Sequence, residues 1–152
     1  MRGLYYEDFQ QKQLFESPTR TITESDLILF GSLTQDTSPI QMDEEFAKKT
    51  QFRGRIAHGL LTQSLAVGLT FGRLGLFEGT AIALLGFDNV RFKKPVRIGD
   101  TIRASAQVTN KKLTSKKDRG LVVLRYRIEN QRELVAEFDC LTLVQKKPKK
   151  TR

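Results

Sequence analysis

Residues 59–74 read Gly59-Leu60-Leu61-Thr62-Gln63-Ser64-Leu65-Ala66-Val67-Gly68-Leu69-Thr70-Phe71-Gly72-Arg73-Leu74. Apolar residues fall on nearly every side of a helix drawn through this stretch, which predicts a buried helix. Sixteen residues interrupted by glycines fall short of the ~20 apolar residues a spanning helix needs. Gly68 and Gly72, four apart, predict close approach of a sheet or another helix.

Upstream, residues 19–23 alternate toward a strand. Thr23 then starts a helix with Asp26 three residues on, a capping box in which Asp replaces the usual Glu or Gln. Leu27, Phe30, Gly31 and Leu33 continue it at helical spacing. Asp36 falls past its end, in a loop, where Pro39 keeps Ser38 from being helical. Asp43, Glu44 and Glu45 open a short second helix, closed by Lys48 and Lys49, with charges that complement the helix dipole. Phe46 and Ala47 are expected to face inward. Residues 51–55 read as loop.

Downstream the pattern changes to strands. Residues 81–85 and 87–92 precede the break at Lys94-Pro95, and Gly99-Asp100 signals a turn. Residues 101–108 place Ile102, Ala104, Ala106 and Val108 on one face. Residues 111–120 read as a polar hairpin loop, and residues 121–128 and 134–144 complete the set. One helix packed on one curved antiparallel sheet is an α+β pattern. Its exposed strand edges favour a second subunit, so a homodimer or higher homo-oligomer is expected.

The 152 residues fit one domain, placed at residues 1–145 with a basic tail at 146–152. Residues 1–13 are polar and lack an apolar leader core, so a cytoplasmic location and no membrane partner are expected. Cys140 is the only cysteine, which rules out an internal disulfide, and its apolar neighbours predict a buried thiol. The net charge of +9 concentrates in the tail and in Lys111, Lys112, Lys116 and Lys117. No aromatics interleave with those lysines, so a stacking platform for single strands is not supported and nucleic acid is not the expected partner.

Three segments carry a family resemblance. The first is Asp36-Thr37-Ser38-Pro39-Ile40-Gln41, with Asp43 and Phe46-Ala47 behind it. The second runs from Phe52 through Ile56-Ala57-His58-Gly59-Leu60. The third is Phe92-Lys93-Lys94-Pro95-Val96-Arg97-Ile98-Gly99-Asp100. In this order and spacing they resemble the MaoC-like dehydratases and R-specific enoyl-CoA hydratases. The resemblance implies a single hot-dog domain, in which a curved antiparallel sheet wraps one long buried helix. It also implies an acyl-CoA or acyl-carrier thioester substrate, with water added or removed at a 2-enoyl double bond and no cofactor.

By the same resemblance Asp36 takes the aspartate role and the Gly59 N–H supports charge on the thioester oxygen. The histidine role falls on Gln41, which can hold a water but cannot carry a proton near neutral pH. Ser38 also replaces the family's asparagine, removing an amide that would steady the loop. Three readings follow. Asp36 works alone, its pKa raised by burial and Gln41 aiming the water; or His58 supplies the second titrating group; or the chain binds acyl thioesters without transforming them, as the partner subunit of a hydratase. A hot-dog thioesterase, with Asp36 activating water, is a further alternative.

Each residue also has a plainer reading. Asp36 after a helix end can simply make a turn, His58 can cap a helix, Gln41 can face solvent, and Gly59 can serve packing alone. Arg91, Lys93, Lys94 and Arg97 could meet coenzyme A phosphates, yet surface strands carry such charges routinely. No metal set is expected from one histidine and one cysteine 82 residues apart. Ser64 lies six residues past His58 in the same helix, without a nucleophile elbow.

Overall fold

Thr23 opens the first long helix through reciprocal bonds. Its hydroxyl accepts from the Asp26 N–H and the Asp26 carboxylate accepts from the Thr23 N–H, which caps α1 (Glu24–Thr34). The computed structural model describes residues 3–148. Gln35 ends α1 with a left-handed φ of 64°, turning the chain toward Asp36.

Two short strands, β1 (Leu14–Glu16) and β2 (Arg20–Thr21), and four long ones, β3 (Ala81–Phe92), β4 (Thr101–Leu113), β5 (Arg119–Glu129) and β6 (Leu134–Gln145), pair antiparallel throughout. The sheet runs β1-β4-β5-β6-β3, and β2 also lies on β4. Alternation decides which face is covered: Ile102, Ala104, Ala106 and Val108 of β4 are all buried, as predicted. Their register partners set small against large, Ala104 beside Ile128 and Ala106 beside Tyr126. Three register shifts between β3 and β6 mark bulges, which bend the sheet around the helix. Residues 81–92 therefore form one bulged strand rather than two segments.

The helix so wrapped is α4 (Gly59–Gly68), extended by a π-helical turn at Leu69–Arg73. This is the hot-dog arrangement. Leu61, Ala66 and Leu69 are buried, but Leu60 is 61% exposed and Ser64 and Gly68 face outward. Only one side of the helix is buried within this chain, because a single sheet can cover only one side. Gly68 and Gly72 meet nothing within 4 Å of an added Cβ, so they do not mark the close approach expected of them.

Other expectations are corrected locally. Pro39 starts a helix, α2 (Pro39–Met42), where a loop was expected. Ser38 stays extended at ψ 136°, which satisfies the restriction before proline, and proline suits the first helical turn. In α3 (Glu44–Lys48), capped by the Asp43 carboxylate, Ala47 is buried but Phe46 is 48% exposed. The hairpin loop shrinks to residues 114–118, since β4 and β5 pair as far as Leu113 and Gly120. The polar N-terminus hides core residues: Phe9 is buried and stacks on Phe77 at 5.3 Å.

The basic tail does not begin free at residue 146. The Lys146 N–H donates to the Asp118 carbonyl and the Lys147 N–H to Glu7. Residues 149–152 of that tail lie outside the described residues. Cys140 is fully buried as predicted, and burial pushes its thiol up to about 11. Among the described residues no helix is long and apolar enough to cross a membrane.

Candidate functional site

The segments around Asp36 and His58 meet at the N-terminus of α4. His58 precedes the helix with an extended backbone and is buried. Its Nε2 lies 2.9 Å from the Asp36 main-chain carbonyl, which makes Nε2–H the donor. The ring also packs on Phe30 of α1 at 5.0 Å. Gly31 leaves room for the same carbonyl, since a Cβ there would lie 3.1 Å from the Asp36 oxygen and from Met42 Sδ. The loop bearing Asp36 is thus tied to the start of α4 through its backbone.

The Asp36 side chain itself is exposed, and the Ser38 hydroxyl donates to its Oδ1 at 2.7 Å. That bond outweighs desolvation and holds the carboxyl below the usual range. A pKa raised by burial, expected from the sequence, is therefore not found in the single chain. Ser38 replaces the missing asparagine as a brace for this loop. The short hydroxyl reaches two residues back, a bond that serine makes readily in turns.

Gln41 on α2 and Gly59 line one cavity of about 350 Å³. Phe52, Ile56, Ala57, Thr62, Phe92, Val96 and Val135 supply its apolar and small walls, with Lys93 and Lys94 at one side. Gln41 Oε1 is buried and accepts no hydrogen bond, so it offers an acceptor at a site otherwise mostly apolar. The first N–H groups of α4, beginning with Gly59, have no partner within the helix and carry the positive end of its dipole. Phe92 presses against Gly59: its ring atoms lie 2.9 Å from where a Cβ would stand, so any larger residue there requires the ring to move.

The structure therefore brings Gln41 and Gly59 onto one cavity and links Asp36 to them through His58. Neither Asp36 nor His58 lines that cavity. His58 spends one ring nitrogen on the Asp36 carbonyl, and its Nδ1 is buried without a partner, a placement that suits a brace. Sequence reasoning missed Thr62, Val135 and Ala136 as wall residues. Thr62 had a signal, one helical turn beyond Gly59, whereas Val135 and Ala136 reach the cavity only through sheet pairing with β3.

The start of the third motif, Phe92 to Val96, lines the cavity, while its end is structural. Gly99 takes φ 91°, and Asp100, 3% exposed, accepts from the Arg97 N–H, Asn130 and Arg132. Burial raises its pKa, but those bonds outweigh it and hold the carboxyl low. Arg97 in turn donates to the Phe52 carbonyl, steadying the cavity wall. Lys93 pairs with Glu137 at 2.9 Å and Lys94 stands 3.8 Å from Glu133, which neutralises much of their charge. Among the described residues no group of His, Cys, Asp or Glu is placed to hold a metal ion.

An α4 N-terminus facing an amide and small apolar walls, wrapped by a hot-dog sheet, defines the class. Residues 8–129 match the MaoC like domain, and the chain belongs to that family. It is 40% identical to an (R)-specific enoyl-CoA hydratase of Rhodospirillum rubrum over 69% of each chain. It is 36% identical to a 3-hydroxybutyryl-CoA dehydratase of Methylorubrum extorquens, covering 71% of this chain and 66% of that one. A solved structure of a monoamine oxidase regulatory protein from Archaeoglobus superposes with a TM-score of 0.89 at 38% identity, covering 97% of this chain and 98% of that one.

Proposed function

We propose that this chain is an acyl-thioester hydratase or dehydratase acting on 2-enoyl-CoA or a related thioester. The observation that carries the reading is the shared cavity of Gln41 and Gly59, with the Asp36 loop tethered beside it. The names of the relatives support the same chemistry. In this scheme the thioester oxygen rests against the Gly59 N–H at the helix N-terminus, which stabilises the enolate formed as C3 is attacked. Water is held by donating to Gln41 Oε1 and loses its other proton to the Asp36 carboxylate. Asp36 then returns a proton to C2. Gln41 orients and does not titrate.

A specific observation favours a second reading. Asp36 is exposed and does not line the cavity, so the isolated chain can bind the thioester while a partner subunit completes the chemistry. We propose a homodimer as the working unit, since Leu60 of α4 and Leu84, Leu85 and Phe87 of β3 stand exposed beside one another's elements.

The test is turnover of a panel of trans-2-enoyl-CoA substrates, followed as loss of the conjugated-thioester absorbance. Asp36→Ala is expected to lower the rate by about 10²–10⁴-fold. Tight acyl-CoA binding without turnover would select the second reading.

A further inference from the structure

The two basic clusters that stand about thirty residues apart in sequence are brought to one end of the sheet. The β4–β5 hairpin carries Lys111, Lys112, Lys116 and Lys117, and Lys146 and Lys147 follow β6 directly beside it. The junction is bonded: Arg119 is the register partner of Gln145, and the Lys146 N–H donates to the Asp118 carbonyl at 2.8 Å. The acids at this end are already engaged. Asp118 is gripped by Arg119, Asp8 pairs with Lys147, and Glu7 accepts the Lys147 N–H. Lys111 is used internally, donating to the Phe9 carbonyl and lying 4.4 Å over the Tyr6 ring. Lys112, Lys116 and Lys117 stand exposed and form no salt bridge among the described residues, although Asp118, gripped by Arg119, lies near Lys116 and Lys117.

We propose that this end of the molecule is a docking surface for an anionic lipid membrane. Three observations favour lipid over other polyanions. Leu113, at the tip of β4 among the lysines, is 63% exposed, and an apolar residue ringed by cations suits the headgroup boundary of a bilayer. Among the described residues no α-helix stands at this end to enter a nucleic-acid groove, only the single 3-10 turn Tyr6–Asp8, and the Tyr6 ring is occupied by Lys111 and by packing on Gly120. The free cations are lysines, point charges that sense a negative surface without demanding a fixed partner geometry.

The position also separates this surface from the cavity. Val135 and Ala136, at the start of β6, line the cavity, while the lysines follow its end at Gln145. The ten residues of β6 from Ala136 to Gln145 place up to roughly 33 Å between them. The expectation of no membrane partner rested on the lack of a spanning segment, and a peripheral contact needs none.

The experiment is co-sedimentation of the full chain with phosphatidylcholine vesicles made with and without phosphatidylglycerol, across a salt series. Binding to the phosphatidylglycerol vesicles alone, abolished at high salt, is expected. Each lysine removed from an anionic surface weakens partition about fivefold. K116E/K117E is therefore expected to weaken binding more than tenfold while leaving thermal stability and any enoyl-CoA turnover unchanged. L113S is expected to weaken it at every salt concentration at which the unaltered chain binds. No sedimentation with phosphatidylglycerol vesicles at low salt would overturn the proposal. So would binding indifferent to K116E/K117E, or tighter retention of duplex DNA than of those vesicles at the same salt. None of these readouts depends on the hydratase reading.

Discussion

At the scale of single residues, the proposed chemistry turns on one carboxylate and one amide. Asp36 is held low by the Ser38 hydroxyl, and the position that would pair with it in proton transfer is Gln41. A base with a depressed pKa stays ionised down to lower pH. We therefore expect kcat/KM for enoyl-CoA hydration to show an acid limb below the ordinary carboxylate value of about 3.9, and no second limb near the histidine value of about 6.5. Gln41→His is expected to raise turnover by about 10²-fold and to introduce that second limb, measured on the same pH profile. A wild-type limb near neutrality would assign the proton work to His58 instead. The resemblance carried by the three motifs picked out Asp36, Gln41, His58 and Gly59 as candidates, and the structure brings Gln41 and Gly59 onto one cavity. The resemblance could not give the direction of the Asp36 shift, because exposure depends on how the loop is tethered. The brace is a main-chain carbonyl bonded to a buried imidazole, and no side-chain pattern announces it.

At the scale of elements, the contact between α4 and β3 sets the cavity's shape. Gly59→Ala places a methyl 2.9 Å from the Phe92 ring. Overpacking costs about 1–3 kcal/mol where nothing can yield, and alanine recovers up to about 1 kcal/mol of helix propensity. Phe92 is 49% exposed on the cavity side, so its ring can swing inward. The expected outcome is a Tm lower by about 2–4 °C, with a larger loss in thioester affinity as the ring fills the cavity. Phe92→Leu added to Gly59→Ala should restore the affinity.

A second expectation concerns the strands. Asp139 on β6 is bonded to Arg125 on β5 and to Asn89 on β3, and the Arg125 guanidinium, ahead of Asn89, holds its pKa down. A depressed carboxylate stabilises the fold above its unfolded value of about 3.9, and the contribution is lost as pH falls through the folded value. Melting curves from pH 6 down to pH 3 should converge for the wild type and Asp139→Asn, with the wild type higher only at the upper end. The elements were legible where periodicity was unbroken, as in α1 and β4. They were not legible at β3, whose bulges disturb the alternation, or around Phe9, an aromatic isolated among polar residues that finds its partners only through Phe77 and Phe15.

At the scale of the whole molecule, the chain leaves uncovered what its own sheet cannot reach. β3 is an edge strand, and along it Leu84 and Leu85 are 45% and 54% exposed, with Phe87 at 36%. Leu60, on the outward side of α4, stands across a shared cavity of about 310 Å³ from Leu84 and Phe87. An unpaired edge with apolar side chains beside an apolar helix face is a template for strand pairing with a second copy. Two-fold pairing at this edge would bury β3 and α4 of both chains together, continuous enough for the ~800 Å² per partner that a stable dimer needs. The net charge of +9 opposes association, but short-range burial outweighs it once salt screens the field. Light scattering at moderate salt should therefore give twice the chain mass. Leu84→Lys, which sets a charge on the edge without disturbing the buried face of the sheet, should give the monomer mass with the melting transition still cooperative. The same variant separates the two functional readings. If Asp36 acts only when a second copy covers it, the monomer will still bind acyl-CoA at the cavity of Gln41 and Gly59 but will lose turnover. A Leu84→Lys monomer with full turnover would place all the chemistry in one chain.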